Sequence, residues 1–400
     1  MIKRVGAYDL IPDRDLQKRI EGLKGMMVET EVDFAVIVEN VDKFYFTGTM
    51  QPGILVVPVD DDPLLFIRKG TERAQAESPF PIIPIKDDKE IGEILAGSGV
   101  SKGVAGLELD IVSVSLYERL RRVLRIDRAK DITPAIKELR AVKSPFELEQ
   151  IRKSGAMITR VFEKAKEVIR EGVSEIEIDA ALVAEGRRLG HQGYLRMRGL
   201  NQEMTTIMVQ SGYTGTFATF VDGPIAGAGV TPAVPNGSSF KEVERGIPVT
   251  VDYGGGYNGY TTDETRVFVI GRLQERFEKP YETARTIIEE TAVFAKEGVD
   301  TTEVFSRAYE TVKKARLLDH FLGYGEGQVQ FIGHGLGLEI NELPIITARH
   351  SRILKEGMVF AFEPKFVLPP YGAIGIEVDF IVKHHRLERV TDDSLDIVHL

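Results

Sequence analysis

The 400-residue chain contains no cysteine. That absence removes disulfides, thiolate metal sites and a cysteine nucleophile together. No apolar run approaches the ~18 uninterrupted residues of a membrane-spanning helix. The opening MIKRVGAYDLIPDRDLQKRI carries basic residues with no apolar stretch behind them, which is not the pattern of a secretory signal; a cytoplasmic protein is expected. Basic clusters are missing as well. With 51 basic against 61 acidic residues the net charge is −10, which argues against a nucleic-acid or anionic-membrane partner. What is present, 43% hydrophobic and 28% charged residues, is the balance of an ordinary globular protein. The length exceeds what one hydrophobic core usually supports, so two domains are expected.

The first third alternates strand and helix patterns. Residues 16–32 have helical spacing, and the apolar runs 34–38, 53–59, 63–67 and 106–109 are flanked by Gly, Pro and Asp, as buried strands of an α/β layer are. The pattern changes near residue 140. Ser144 and Pro145 are helix-start residues; after them Leu148, Ile151, Ile158, Phe162, Ala165 and Ile169 recur at helical spacing until Gly172. Ser174 with Glu177 forms a capping box for a second helix ending near Gly190. The expected domains are therefore 1–140 and 141–400. The second contains a loop-rich region (191–246), a Gly-rich hairpin (249–270), helices at about 275–298 and 302–316, a Gly-His-Gly strand region (327–346) and a second hairpin (357–382). Each half has helices followed by an acidic hairpin, as an internal duplication would. The fold class read from this is α/β (α+β).

Asp252, Asp263, His334, Glu363 and Glu377 lie in segments that otherwise read as buried strands. Carboxylates are almost never fully buried unless they are paired or bind metal. Asn258-Gly259 is a strong hairpin signal. A turn centred between 257 and 258 sets Asp252 opposite Asp263, and one centred a residue later makes them diagonal neighbours. Their odd sequence separation puts them on one face in both cases. Like charges so placed repel, and a bridging cation accounts for them. The second hairpin repeats the device: a turn over Pro369-Pro370-Tyr371-Gly372 centred at 370 pairs Glu363 with Glu377. His334, between Gly333 and Gly335, supplies a neutral nitrogen ligand with room for close approach. Such a set suits Mn²⁺, Co²⁺, Zn²⁺ or Fe²⁺. Two ions would ready a water for attack and polarise a scissile carbonyl. Each residue alone has a plainer reading: a turn aspartate, a hydrogen-bonded core histidine, a strand-end glutamate before Pro364, glycines 254–256 serving the turn. The joint pattern is what points to a metal site.

At these residues the chain resembles the pita-bread metallohydrolases, the family of Xaa-Pro dipeptidase (prolidase), aminopeptidase P, methionine aminopeptidase and creatinase. The matching segments are DYGGGYNGYTTDETR, GHGLGLEINELP, GMVFAFEP and GIEVD. FAVIVENVDKFYFTGT looks like the leading domain of the creatinase and prolidase type, and KSPFELEQIRKSG opens the second domain. The resemblance implies a creatinase/prolidase-type α/β domain followed by a pita-bread domain, whose pseudo-duplicated antiparallel sheet is covered by helices. It implies that Asp252 binds one ion, that Asp263 and Glu377 bridge two, and that His334 and Glu363 complete the second, with Glu363 assisting proton transfer. It also implies a homodimer. The chain departs from the family at three places. Asn341 precedes Glu342 where prolidases carry histidine, Pro235 or Asn236 stands where a histidine precedes the first aspartate, and Gly375 stands where an arginine is common. Glu363, Asn341 and Glu342 are the candidate catalytic residues; Asn341 keeps a hydrogen bond for an oxyanion but cannot shuttle protons. Arg196, Arg198 and Asn236 are candidate substrate residues, the arginines for a carboxylate, although a solvated loop or dimer contact explains them equally well. The leading function is a dinuclear, prolidase-like hydrolase of small peptides. The alternative is a metal-dependent hydrolase of a non-peptide C–N bond in a small metabolite, which the missing histidines favour. A silent binding protein has no need of five intact ligands.

Overall fold

The apolar runs of the first third pair with one another. In the computed structural model, which describes residues 9–98, 100 and 103–400, the chain divides into two units, 1–140 and 141–400. The basic opening, residues 1–8, lies outside the described residues. The first unit holds a six-stranded sheet in the order Ile82–Pro84, Leu64–Ile67, Gly53–Pro58, Phe34–Ile37, Val104–Leu107 and Arg128–Asp131. The sheet is mixed, antiparallel at 34–37/53–58 and parallel at 34–37/104–107. Phe34, Val36, Ile54, Val56 and Phe66 pack with Ile91, Leu95, Leu120 and Leu124 in one core. The last apolar run lies two residues earlier than its pattern predicts. Glu108 leaves the strand, and its carboxylate accepts the Val38 and Glu39 N–H groups at 2.8 and 3.0 Å.

In the second unit, Ser144 and Ser174 both form capping boxes with the glutamate three residues on, starting the helices Pro145–Val168 and Glu175–Arg188. Helices Glu275–Phe294 and Thr301–Ala315 follow the first hairpin. A four-stranded sheet runs Val398–His399, Tyr260–Val269, Pro248–Tyr257 and Ile207–Ser211; a five-stranded sheet runs Glu342–Thr347, Phe331–Gly335, Val359–Phe362, Val378–Val382 and Leu387–Arg389. Between them the second hairpin continues as the pair Lys365–Leu368 and Gly372–Gly375. Thr265 and Glu377 exchange backbone hydrogen bonds at 3.3 Å, stitching the first hairpin to the second. The core lies between hairpins and helices: Val267 and Val269 pack with Phe277, Tyr281 and Ile288, while Val249, Val251 and Phe268 pack with Ile158, Val161 and Phe162. Among the described residues, no helix is long and apolar enough to cross a membrane.

The region that reads as loop from 191 to 246 contains the strand Ile207–Ser211, and a buried glutamate fixes its end. Glu175 is fully buried. One carboxylate oxygen meets the Ser211 N–H at 2.7 Å and the Thr214 hydroxyl; the other meets the Ser239 N–H at 3.0 Å and hydroxyl at 2.6 Å. In Glu175→Gln an NH₂ must face one of these donor pairs, so at least one buried backbone N–H loses its acceptor. The expected cost is about 1–3 kcal/mol of unfolding free energy, read as a lower urea midpoint with the slope unchanged.

Candidate metal centre

The first hairpin turns through Asn258 and Gly259, both at positive φ (51° and 91°), as a two-residue turn requires. Tyr257 then pairs with Tyr260, Gly254 with Asp263 and Asp252 with Thr265. Asp252 and Asp263 are thus diagonal neighbours on one face. The glycines before the turn are there for packing: a Cβ on Gly254 would sit 2.2 Å from Leu195 Cδ1, and one on Gly255 would sit 2.3 Å from Thr262 Oγ1. In the second hairpin Phe362 pairs with Val378 and Lys365 with Gly375, one common register that sets Glu363 level with Glu377 where the strands pass from one sheet to the next. His334 pairs with Ala361 on the adjacent strand. Its glycine neighbours permit that closeness, since a Cβ on Gly333 would sit 2.3 Å from the Ala361 carbonyl.

These elements bring all five residues together. The four carboxylates are buried, and the His334 side chain is 17% exposed. Asp263, His334 and Glu377 each offer a ligand atom within 4.8 Å of the others. His334 Nε2 lies 3.9 Å from both Asp263 Oδ2 and Glu363 Oε1. That is too long for a hydrogen bond, but an ion with bonds of roughly 2.0–2.2 Å placed between them can reach both atoms. Burial, reinforced by the charges of Glu377 and Asp252, pushes the Asp263 carboxyl well above its ordinary range. Burial likewise raises Glu363 to about 8, against the pull of Lys365. The carboxylates are under-compensated, and the donor set fits one divalent ion held by Asp263, His334 and Glu377 with Glu363 beside them.

A second ion would have to compete with a cation already there. Lys365, two residues after Glu363, is buried among the ligands, with Nζ 2.9 Å from Asp252 Oδ2, 3.0 Å from Glu363 Oε2 and 2.7 Å from Glu377 Oε2. Burial alone would lower its pKa, but the surrounding carboxylates hold it well above the ordinary lysine value. Asp252 turns its Oδ2 toward this ammonium. Nothing in the motif pattern had marked Lys365, which reads as one residue of an alternating strand. Arg266 and Asp379 also went unmarked. Arg266 donates to the Glu377 carbonyl at 2.8 Å and pairs with Glu264 at 2.9 Å, and Asp379 accepts the Asp263 N–H at 2.8 Å; both position ligands from behind. Their place in TTDETR and GIEVD, adjoining ligand positions, was the available signal.

The carboxylates form the floor of a cavity of about 210 Å³ whose walls include Met197, Met204, Met208, Phe331 and Ile345. The remaining candidates divide. Asn341 and Glu342 line the cavity, but both side chains are engaged. The Asn341 amide accepts the Arg198 N–H at 2.9 Å and donates to the Arg198 carbonyl at 2.8 Å. Glu342 pairs with Lys143 at 3.2 Å and accepts the Leu338 and Glu339 N–H groups. Neither Arg196, Arg198 nor Asn236 is among the lining residues, and the loop contributes Met197 instead. The Arg196 guanidinium bonds to the Tyr194 hydroxyl at 2.8 Å, and that of Arg198 lies 3.9 Å from Glu339.

A two-unit α/β protein that aims a histidine and four carboxylates from strand hairpins into one cavity falls in the class of metal-dependent hydrolases. The chain belongs to metallopeptidase family M24, which it matches over residues 149–384; residues 19–142 match the creatinase/prolidase N-terminal domain. It is 29% identical over 386 residues to the Xaa-Pro dipeptidase of Pyrococcus furiosus, covering 96% of this chain and 100% of that one. The prolidase structure from Pyrococcus furiosus superposes with a TM-score of 0.77 at 28% identity, covering 93% of this chain and 99% of that one. The Xaa-Pro dipeptidase structure from Bacillus anthracis shares the fold with a TM-score of 0.82 at 22% identity, covering 96% and 100%.

The Asn341 contacts generate a test. In Asn341→Ala the Arg198 main chain loses both partners, so amide exchange at residues 196–199 is expected to rise about tenfold or more, one such hydrogen bond being worth ~1 kcal/mol or above. Hydrogen exchange followed by mass spectrometry reads this directly. Unchanged exchange would mean that the amide serves only the cavity.

Proposed function

We propose that this protein is a metal-dependent peptidase of the Xaa-Pro dipeptidase kind, acting on small peptides whose scissile bond reaches the floor of the cavity. The observation that carries the reading is the convergence of Asp263, His334, Glu363 and Glu377 at one end of an apolar-walled cavity. A divalent ion of the Mn²⁺, Co²⁺, Zn²⁺ or Fe²⁺ type, held by Asp263, His334 and Glu377, supplies an activated water and Lewis-acid polarisation when bound. The chain's own residues do the rest. Glu363 presents Oε1 toward His334 while Oε2 is anchored on Lys365, which makes it the group that carries a proton to the leaving amine. Met204, Met208, Phe331 and Ile345 exclude water and give an apolar side chain its surface. The two-ion arrangement implied by the resemblance requires Asp252 as a ligand, and no step is assigned to a second ion. The protein would work in the cytoplasm, and as the homodimer that the resemblance implies.

A second reading, hydrolysis of a non-peptide C–N bond in a small amide or amidine, draws on a specific observation. The Asn341 amide, at the position of a prolidase histidine, is spent on the Arg198 main chain, so peptide recognition of the prolidase type has lost a contact. Both readings share the metal and differ in substrate.

Protein dialysed against chelator should be inactive, and added Mn²⁺ or Co²⁺ should restore cleavage of Xaa-Pro dipeptides. Asp263→Asn should lower kcat/KM by about 10³-fold or more, since metal activation is worth several kcal/mol. Metal uptake with cleavage of small amides and none of dipeptides would transfer the assignment to the second reading. No metal uptake would end both.

A further inference from the structure

We infer that Lys365 is a built-in replacement for one of the two metal ions, so that this centre binds a single divalent ion. The ammonium carries three N–H donors, and each has a carboxylate partner: Asp252, Glu363 and Glu377, all at 2.7–3.0 Å. It donates to Asp252 and Glu377 and forms an ion pair with Glu363. Lys365 donates to Asp252 Oδ2 at 2.9 Å, while the ligand atoms of Asp263, Glu377 and Glu363 gather around His334. The two sets are complementary. Asp252 faces the lysine, Asp263 and His334 face the remaining gap, and Glu363 and Glu377 face both.

The backbone opposite Lys365 is shaped for it. Lys365 pairs with Gly375 across the second hairpin, and a Cβ on Gly375 would lie 2.6 Å from Lys365 Cα, 2.7 Å from its Cγ and 2.7 Å from the Pro364 carbonyl. Gly375, which reads in the sequence as a lost arginine, leaves the space over which the lysine stem crosses to the carboxylates. A lysine able to swing aside for a metal would need somewhere to go. Its side chain is 3% exposed, and withdrawing it would leave the charge buried and unpaired, which is strongly unfavourable. The cation is part of the fold.

The inference rests on the cluster being a metal centre, and the test separates the two. Metal-free protein is titrated with Mn²⁺, and bound ion per chain is counted by elemental analysis after equilibrium dialysis, for the wild type, Lys365→Gly, Lys365→Met and Asp252→Asn. The expected counts are close to one for the wild type, two for Lys365→Gly and one for Asp252→Asn. Lys365→Met, which fills the space without charge, should stay at one and bind no tighter than the wild type. Should the lysine variants fail to fold, electron paramagnetic resonance of the wild type loaded with excess Mn²⁺ decides alone: an isolated-ion spectrum is expected, and an exchange-coupled pair overturns the inference. A wild-type count of two overturns it while leaving the metal-centre reading intact. A count of two for neither lysine variant also overturns it, because the lysine is then not what excludes the second ion. A count of zero throughout removes the metal centre and the inference with it.

Discussion

Four carboxylates share one buried seam between two hairpins, and the repulsion among them is the constraint that the second unit answers. Two like charges 4 Å apart cost about 4 kcal/mol at an effective dielectric of 20, so a cluster of four cannot be sustained without positive charge in its midst. Lys365 supplies one charge from within the chain. The surrounding layers hold the seam shut while it is charged. Thr265 donates to Glu377 at 2.9 Å, Arg266 fixes the Glu377 carbonyl, and Asp379 holds the backbone of Asp263. Arg266 and Asp379 hold the backbone of ligand-bearing strands, whereas Thr265 meets a Glu377 carboxylate oxygen itself.

Because the seam lies where strands pass between sheets, the fold follows from it. Glu363 and Glu377 fall outside regular pairing, between Val359–Phe362 and Lys365–Leu368 on one arm and between Gly372–Gly375 and Val378–Val382 on the other. A regular ladder would alternate their side chains with apolar neighbours across a single sheet. The break lets both arms turn the same way toward the first hairpin, whose contribution is joined through the Thr265–Glu377 bridge. The helices Pro145–Val168 and Glu275–Phe294 supply the apolar surface against which the outer faces of these strands are buried.

Much of this was legible in the residues. The odd spacing of Asp252 and Asp263 placed them on one face for either turn, and Asn258-Gly259 realised the diagonal case. The symmetry of Glu363 and Glu377 about Pro370 emerged as one register running through two strand pairs. What stayed hidden shares a physical cause. Asn341 bonds to Arg198, 143 residues away, and Glu342 pairs with Lys143, 199 residues away, and no local pattern reports contacts of that range. Arg196 and Arg198 looked like anion-binding groups because they are arginines in a polar loop; they are engaged by Tyr194, Glu339 and Asn341. Glu175 sits unmarked beside the Ser174–Glu177 capping box, yet its carboxylate ties together segments 36 and 64 residues downstream.

Lys365 is the sharpest instance. A lysine between Pro364 and Phe366 in a strand reads as a solvent-facing residue, because long cations are rarely buried unless paired. Its pairing partners are the ligands themselves, which stand in the same motif. Each acidic residue taken singly is of the right type for a ligand, but the charge that matters is that of the whole cluster. Summation changes the result, since four carboxylates and an ammonium leave a smaller deficit than four carboxylates alone, and the deficit determines how much metal a buried site can hold. Gly375 and Lys365, a loss and a gain when read separately, then become one structural change: the glycine admits the stem whose charge stands at the centre.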